Sequence, residues 1–224
     1  MLTSPEADPA REALDDALLE ALQARAAATT GAPDAEALAL RRLLARTPAA
    51  RRTAIQALWG RLETGPLHVH GPDAALLAAD RHGLGFTMHD SADKALAAVE
   101  AGGGAALIGL AGVTPWWGRL LARPNLRVVG ALPDAAERAP RALRVAAAQP
   151  GPTGQDRTFW VTDTAESDHA VTLSLGLAGL AATPLTQTGG LKLFLLAGYV
   201  QPDDPRLTGL PGALTGVIGA APTF

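Results

Sequence analysis

Apolar residues in the first quarter of the chain fall at helical spacing. Leu14, Leu18, Leu19, Leu22 and Ala26 recur at three- and four-residue steps and line one stripe of a helix. Asp8 followed by Pro9 supplies a cap and a first turn, with Glu12 near the positive end of the helix dipole. Thr29-Thr30-Gly31-Ala32-Pro33 breaks that helix. A second is predicted from Asp34, carrying Leu38, Leu40, Leu43 and Leu44 and stopping at Thr47-Pro48. A third runs from Ala49 to Leu62, with Ile55, Leu58, Trp59 and Leu62 on one face. Three short helices bury little by themselves, so this unit needs a partner, either the rest of the chain or a second copy.

After Gly65 short apolar runs alternate with helical segments. Strands are predicted at Leu67–His70, Gly85–Met88, Ala105–Leu110, Leu126–Ala131 and Leu143–Ala148, and helices at Asp73–Arg81, Ala92–Ala101 and Trp116–Ala122. Strands separated by ten-residue helices imply βαβ units and a mainly parallel sheet. Pro150-Gly151-Pro152-Thr153-Gly154 reads as a linker. Beyond it Arg157–Thr162 is a strand, Asp168–Ala181 a helix and Leu185–Thr188 a weak strand; Gly189-Gly190 turns a hairpin into the strand Leu191–Val200. That βαββ string fits a small ferredoxin-like module. The Gly- and Ala-rich tail after Pro211 shows no periodicity. The fold class predicted is α+β multidomain: a helical unit over 9–62, an α/β lobe over 66–150 and a βαββ module over 153–210.

Composition narrows the chemistry. The 224 residues are 48% hydrophobic and 18% charged, outside the range of disordered chains. The absence of cysteine removes disulfides, thiolate metal sites and cysteine nucleophiles together. A net charge of -3 gives no electrostatic footprint for nucleic acid or an anionic membrane. The leading segment is polar, neither a signal peptide nor an anchor, and later apolar runs fall short of the roughly 20 residues that span a bilayer. A cytoplasmic, soluble protein is expected.

Among candidate motifs, Gly102-Gly103-Gly104 follows a helix and precedes a strand, which suits a helix stop rather than a phosphate loop. His68 and His70 share one face of a strand, with His82 and His89 downstream, but no HExxH pattern accompanies them and no metal is expected. No Gly-x-Ser-x-Gly elbow is present. Trp116-Trp117 reads as an apolar anchor packed on the sheet. Only Lys94 and Lys192 are lysines, so any anion site must be built from arginine, which binds carboxylates in bidentate fashion. The helical unit holds Arg11, Arg25, Arg41, Arg42, Arg46, Arg51, Arg52 and Arg61. Several of these around one pocket would hold a dicarboxylate.

The run Ala13-Leu14-Asp15-Asp16-Ala17-Leu18-Leu19-Glu20-Ala21-Leu22-Gln23-Ala24-Arg25 resembles the first helix of the all-helical chorismate mutases, and Glu36-Ala37-Leu38-Ala39-Leu40-Arg41-Arg42-Leu43-Leu44 resembles their second. His70-Gly71-Pro72, Asp90-Ser91-Ala92 and Ala105–Leu110 resemble a reduced prephenate dehydratase. Pro152-Thr153-Gly154-Gln155-Asp156-Arg157-Thr158 and Gly198-Tyr199-Val200 leading to Asp203-Asp204-Pro205-Arg206-Leu207 resemble that family's ACT-like regulatory module. The likeness runs in order from Pro9 to Leu207.

The resemblance implies a protein of aromatic amino acid biosynthesis that converts chorismate to prephenate without a cofactor, and that is a homodimer. Arg25 would hold a substrate carboxylate and Glu36 the ring hydroxyl, with Arg11, Arg41, Arg42 and Gln56 as further substrate-binding groups. Such a site does no acid–base chemistry: it holds one conformer and stabilises charge growing on the ether oxygen. Asp8 and Ala35 stand where the family has arginines. The dehydratase Thr-Arg-Phe run falls on Ala142-Leu143-Arg144, and residues 66–150 suffice for one lobe, so dehydratase activity is not expected. The alternative is a catalytically silent regulatory relative that binds an aromatic-pathway enzyme.

Overall fold

A computed structural model describes residues 8–224; the polar leading segment read above as lacking a leader or anchor lies outside them, save Asp8. The helical unit comprises α1 (Pro9–Ala27), α2 (Pro33–Arg46) and α3 (Ala49–Arg61). Asp8 caps α1 as its sequence implies, its side chain accepting from the Ala10 amide at 3.0 Å. There follow β1 (Leu67–His70), α4 (Pro72–His82), β2 (Phe86–Met88), α5 (Ala92–Gly102), β3 (Ala105–Gly109), β4 (Arg127–Leu132) and β5 (Ala142–Ala146). The remainder is β6 (Asp156–Thr162), α6 (Asp168–Leu177), β7 (Ala182–Thr188), β8 (Leu191–Ala197) and β9 (Thr215–Pro222). Helix α5 ends at the glycine triplet, where Gly103 and Gly104 take positive φ. Trp116–Ala122 is helical but of the tighter 3-10 kind.

The architecture is α+β with one large mixed sheet, ordered β2-β1-β3-β5-β4-β9-β6-β8-β7. Two expectations are corrected by it. The sheet is not mainly parallel: β1 pairs in parallel with β2 and β3, but β5 inserts antiparallel between β3 and β4, and β6, β7 and β8 pair only antiparallel. Nine residues without a helix separate β4 from β5, too short a link for a packed crossover and ample for a hairpin-like return. The tail that showed no pattern is β9, which lies parallel to β4 on one side and antiparallel to β6 on the other. Its Gly-Ala content hid it because a strand enclosed on both flanks needs small residues more than alternation. With β9, the last four strands run β9-β6-β8-β7, so that β6-α6-β7 is a split βαβ unit with β8 between its strands.

The sheet buries both faces. Helix α5 and the two tryptophans of the 3-10 segment cover one face, where Leu96, Trp117, Leu143, Phe159, Leu193 and Ile218 join a core running across the linker at 150–154. On the other face α4 covers Val69, Leu107 and Ala142, while α6 covers Trp160, Phe194 and Val217. None of the three core clusters draws on α1, α2 or α3. Helix α1 leaves its predicted stripe in solvent, with Leu14 72%, Leu18 57% and Leu19 55% exposed.

The two halves of the sheet meet where Val128 of β4 faces Gly219 of β9. A β-carbon on Gly219 would sit 2.2 Å from the Val128 carbonyl oxygen, and its φ of +141° is open to glycine alone. Gly219→Ala is therefore expected to cost about 2 kcal/mol, the middle of the range for an overpacked interior. Urea denaturation measures this; an unchanged midpoint contradicts the close approach.

Candidate functional site

A cavity of about 360 Å³ opens between the helical unit and the α4 face of the sheet. Its walls come from the α1–α2 turn, α2, α3, α4, strands β4 and β5, and the chain beyond β9. Three features of local structure make it. Helix α3 crosses α4 at Gly60, where a β-carbon would lie 2.5 Å from the Arg81 carbonyl oxygen, so the two backbones touch. On β5, Leu143 and Val145 enter the core while Arg144 points to the opposite face, by the two-residue alternation of a strand. Gly130, paired with Arg144 across β4–β5, leaves room for the guanidinium stem, its nearest approach to the Arg144 β-carbon being 3.3 Å from a hypothetical β-carbon.

Polar groups in the cavity come as pairs. Arg144 Nη2 lies 2.7 Å from Glu63 Oε2, and Arg81 Nη2 lies 2.5 Å from Asp134 Oδ2. Below Asp134 the buried Arg157 donates to the carbonyls of Arg138 at 3.0 Å and Pro133 at 2.6 Å. Burial pulls the Arg157 pKa down to about 10, opposed by Asp134. His82 Nδ1 lies 3.0 Å from the Gly60 carbonyl oxygen, which can only accept, so Nδ1 carries the proton and Nε2 is the acceptor. Its side chain is 11% exposed. Burial lowers its pKa below the usual 6.5; Glu63 and the Gly60 bond oppose this, and Arg144 and Arg81 reinforce it.

The structure brings some sequence-predicted site residues together and separates others. Arg25 and Glu36 meet in a close ion pair, and the Arg25 guanidinium stacks 3.8 Å over the Trp59 ring. Glu36 also accepts from the Thr30 amide at 2.9 Å. Burial works to raise the Glu36 pKa, yet the Thr30 and Arg25 bonds win and hold it below the ordinary carboxylate value. Arg41 donates to the carbonyls of Thr153 at 2.6 Å, Gln155 at 3.2 Å and Thr223 at 3.0 Å, which pins α2 to the sheet. Arg11 and Arg42 are exposed, and Gln56 is half-buried on α3 without lining the cavity.

Sequence reasoning missed Glu63, Arg81 and Asp134, and named His82 only among four histidines weighed as metal ligands. These four lie just past the end of α3, in the last turn of α4 and in the loop after β4, and no spacing along the chain joins them. Arg144 was singled out, but only as the remnant of a family motif. Elsewhere, His68 Nδ1 and His89 Nε2 are 3.0 Å apart on the sheet edge, and His70 Nδ1 lies 3.0 Å from the His89 carbonyl oxygen. No group of three or more His, Asp or Glu among the described residues is placed to hold a metal ion. No helix among them is long and apolar enough to cross a membrane.

His82 gives the cavity a pH dependence. Because its folded pKa is depressed, the unfolded chain takes up the proton first as pH falls below about 6.5. Stability from this residue is thus complete above that pH and declines through the interval down to the folded pKa. His82→Gln should flatten the fall in melting temperature between neutral and mildly acid pH; an unaltered slope would place its origin elsewhere.

No family model and no curated protein matches the chain. Among solved structures, one titled "GqqA- a novel type of quorum quenching acylases" is 17% identical with a TM-score of 0.43, over 70% of this chain and 95% of that one. A prephenate dehydratase from Streptococcus mutans is 12% identical with a TM-score of 0.39, over 72% of this chain and 100% of that one.

Proposed function

We propose that the chain is a catalytically silent, small-molecule-binding relative of enzymes of aromatic amino acid biosynthesis, with the cavity between the helical unit and strands β4 and β5 as its binding site. The resemblance in sequence supplies the pathway. The observation that carries the silent reading is the engagement of the cations a mutase would need. Arg25 is paired with Glu36, Arg41 is spent on backbone carbonyls, and Arg11 and Arg42 face solvent. A mutase accelerates its rearrangement by aiming uncompensated donors at a dianion. A donor already paired with the protein's own carboxylate has little to offer a dianion, because opening the pair leaves that carboxylate without a partner. Two further parts of this reading are an aromatic-pathway enzyme as partner and a homodimer formed through α1, whose exposed leucines no other element covers.

A second reading, chorismate mutase, is favoured by the adjacency of Arg25, Glu36 and Trp59 at the cavity rim. Chorismate disappearance with purified protein at millimolar substrate separates the two. The expected outcome is consumption at the uncatalysed rate. A faster rate that Arg25→Ala abolishes, with the fold intact, would overturn the silent reading and establish the mutase.

A further inference from the structure

The charges around the cavity specify its ligand more narrowly than its size does. Three carboxylates line it, Glu36, Glu63 and Asp134, against two guanidiniums, Arg81 and Arg144. Glu36 is already paired with Arg25, so a dicarboxylate placed among the remaining groups meets two like charges, and a simple amine also meets two. A ligand carrying one charge of each sign finds partners for both, because the cationic and anionic groups stand side by side as ion pairs and not on separate walls. Both members of each pair are also within reach of a ligand: the Arg144 and Glu63 side chains are 25% and 31% exposed, and those of Arg81 and Asp134 15% and 14%. Beside these pairs the wall is apolar, with Leu40, Trp59 and Val129. At about 360 Å³ the space lies near the lower end of the roughly 300–1,000 Å³ usual for ligand cavities, the size of one small metabolite and not of a peptide or nucleotide.

We propose that this cavity binds a zwitterionic α-amino acid with an apolar side chain. The carboxylate is taken by Arg144 and Arg81, the ammonium by Glu63 and Asp134, and the side chain by the Leu40–Trp59 wall. The inference rests on the cavity being the binding site, as argued above, and names its ligand class.

Calorimetric titration of the full chain with leucine, methionine, phenylalanine, tyrosine and tryptophan tests it. The best binder is then compared with its deaminated acid and its carboxamide, and chorismate and prephenate are titrated alongside. The expected result is saturable binding of at least one amino acid, with both single-charge analogues at least tenfold weaker. Glu63→Gln should weaken the amino acid about tenfold without weakening the deaminated acid, which gains the Arg144 guanidinium that Glu63 no longer neutralises, with melting temperature as the check that the variant folds. A deaminated acid that binds as tightly as the amino acid, or binding of the dicarboxylates alone, overturns the zwitterion assignment while leaving the cavity as the site. Failure of every compound overturns both.

Discussion

Strand β9 has to pass between β4 and β6, and that passage holds the molecule together. Val128 and Phe159 both register with Gly219, so one glycine is clasped by strands from the two halves of the chain. The clasp joins a mixed half-sheet to an antiparallel one and lets a single core continue beneath both, from Leu96 to Leu193. It also fixes the cavity. Pro222 at the end of β9 and Phe224 just beyond it close one side of it, and β4 and β5 form its floor. A shift of β9 by one residue would exchange the residues on its two buried faces, Val217 with Ile218, and displace Phe224 from that side.

On this frame the cavity is made polar at low electrostatic cost. A lone charge withdrawn from water is expensive, and a paired one much less so. Arg81 with Asp134 and Arg144 with Glu63 meet that condition before any ligand arrives, and Arg157 beneath them is steadied by three carbonyls, including that of Ala131 at 3.4 Å. His82 meets it by staying neutral, its one proton committed to Gly60. The result is a site rich in hydrogen-bonding groups and close to neutral overall. Such a site discriminates by charge pattern more than by net attraction.

Much of the fold could be read from the chain because local signals and tertiary packing agree. The helix caps at Asp8 and Ser91, the stop at Gly102-Gly103-Gly104 and the Gly189-Gly190 hairpin are set by residues within a few positions of each other. The antiparallel place of β5 and the existence of β9 are set by strands far away in sequence, and no periodicity records that. Part of the site was legible for the same reason: Arg25 and Glu36 flank a single turn and meet across it. Glu63, Arg81, His82, Asp134 and Arg144 are joined only by the crossing of α3 on α4 over β5, which depends on Gly60 having no side chain. The arginine abundance was a poor guide. Arg41 and Arg157 are both arginines that bind the protein's own carbonyls.

The helical unit is held to the sheet differently from the way the sheet is held to itself. Its buried residues, Ala37, Leu40, Leu44 and Gly60, lie outside the three core clusters. What docks it is the Arg41 set of carbonyl bonds, the Gly60 contact and the Glu63–Arg144 pair, and these are polar or small-area contacts that contribute modestly once water competes. An element attached in this way opens at lower free energy than the sheet unfolds. The cavity lies in that very seam, so a ligand touching both walls adds its binding free energy to the docking of α2 and α3. Occupancy of the cavity and the attachment of the helical unit, α1 with its exposed leucines included, are thereby one linked equilibrium.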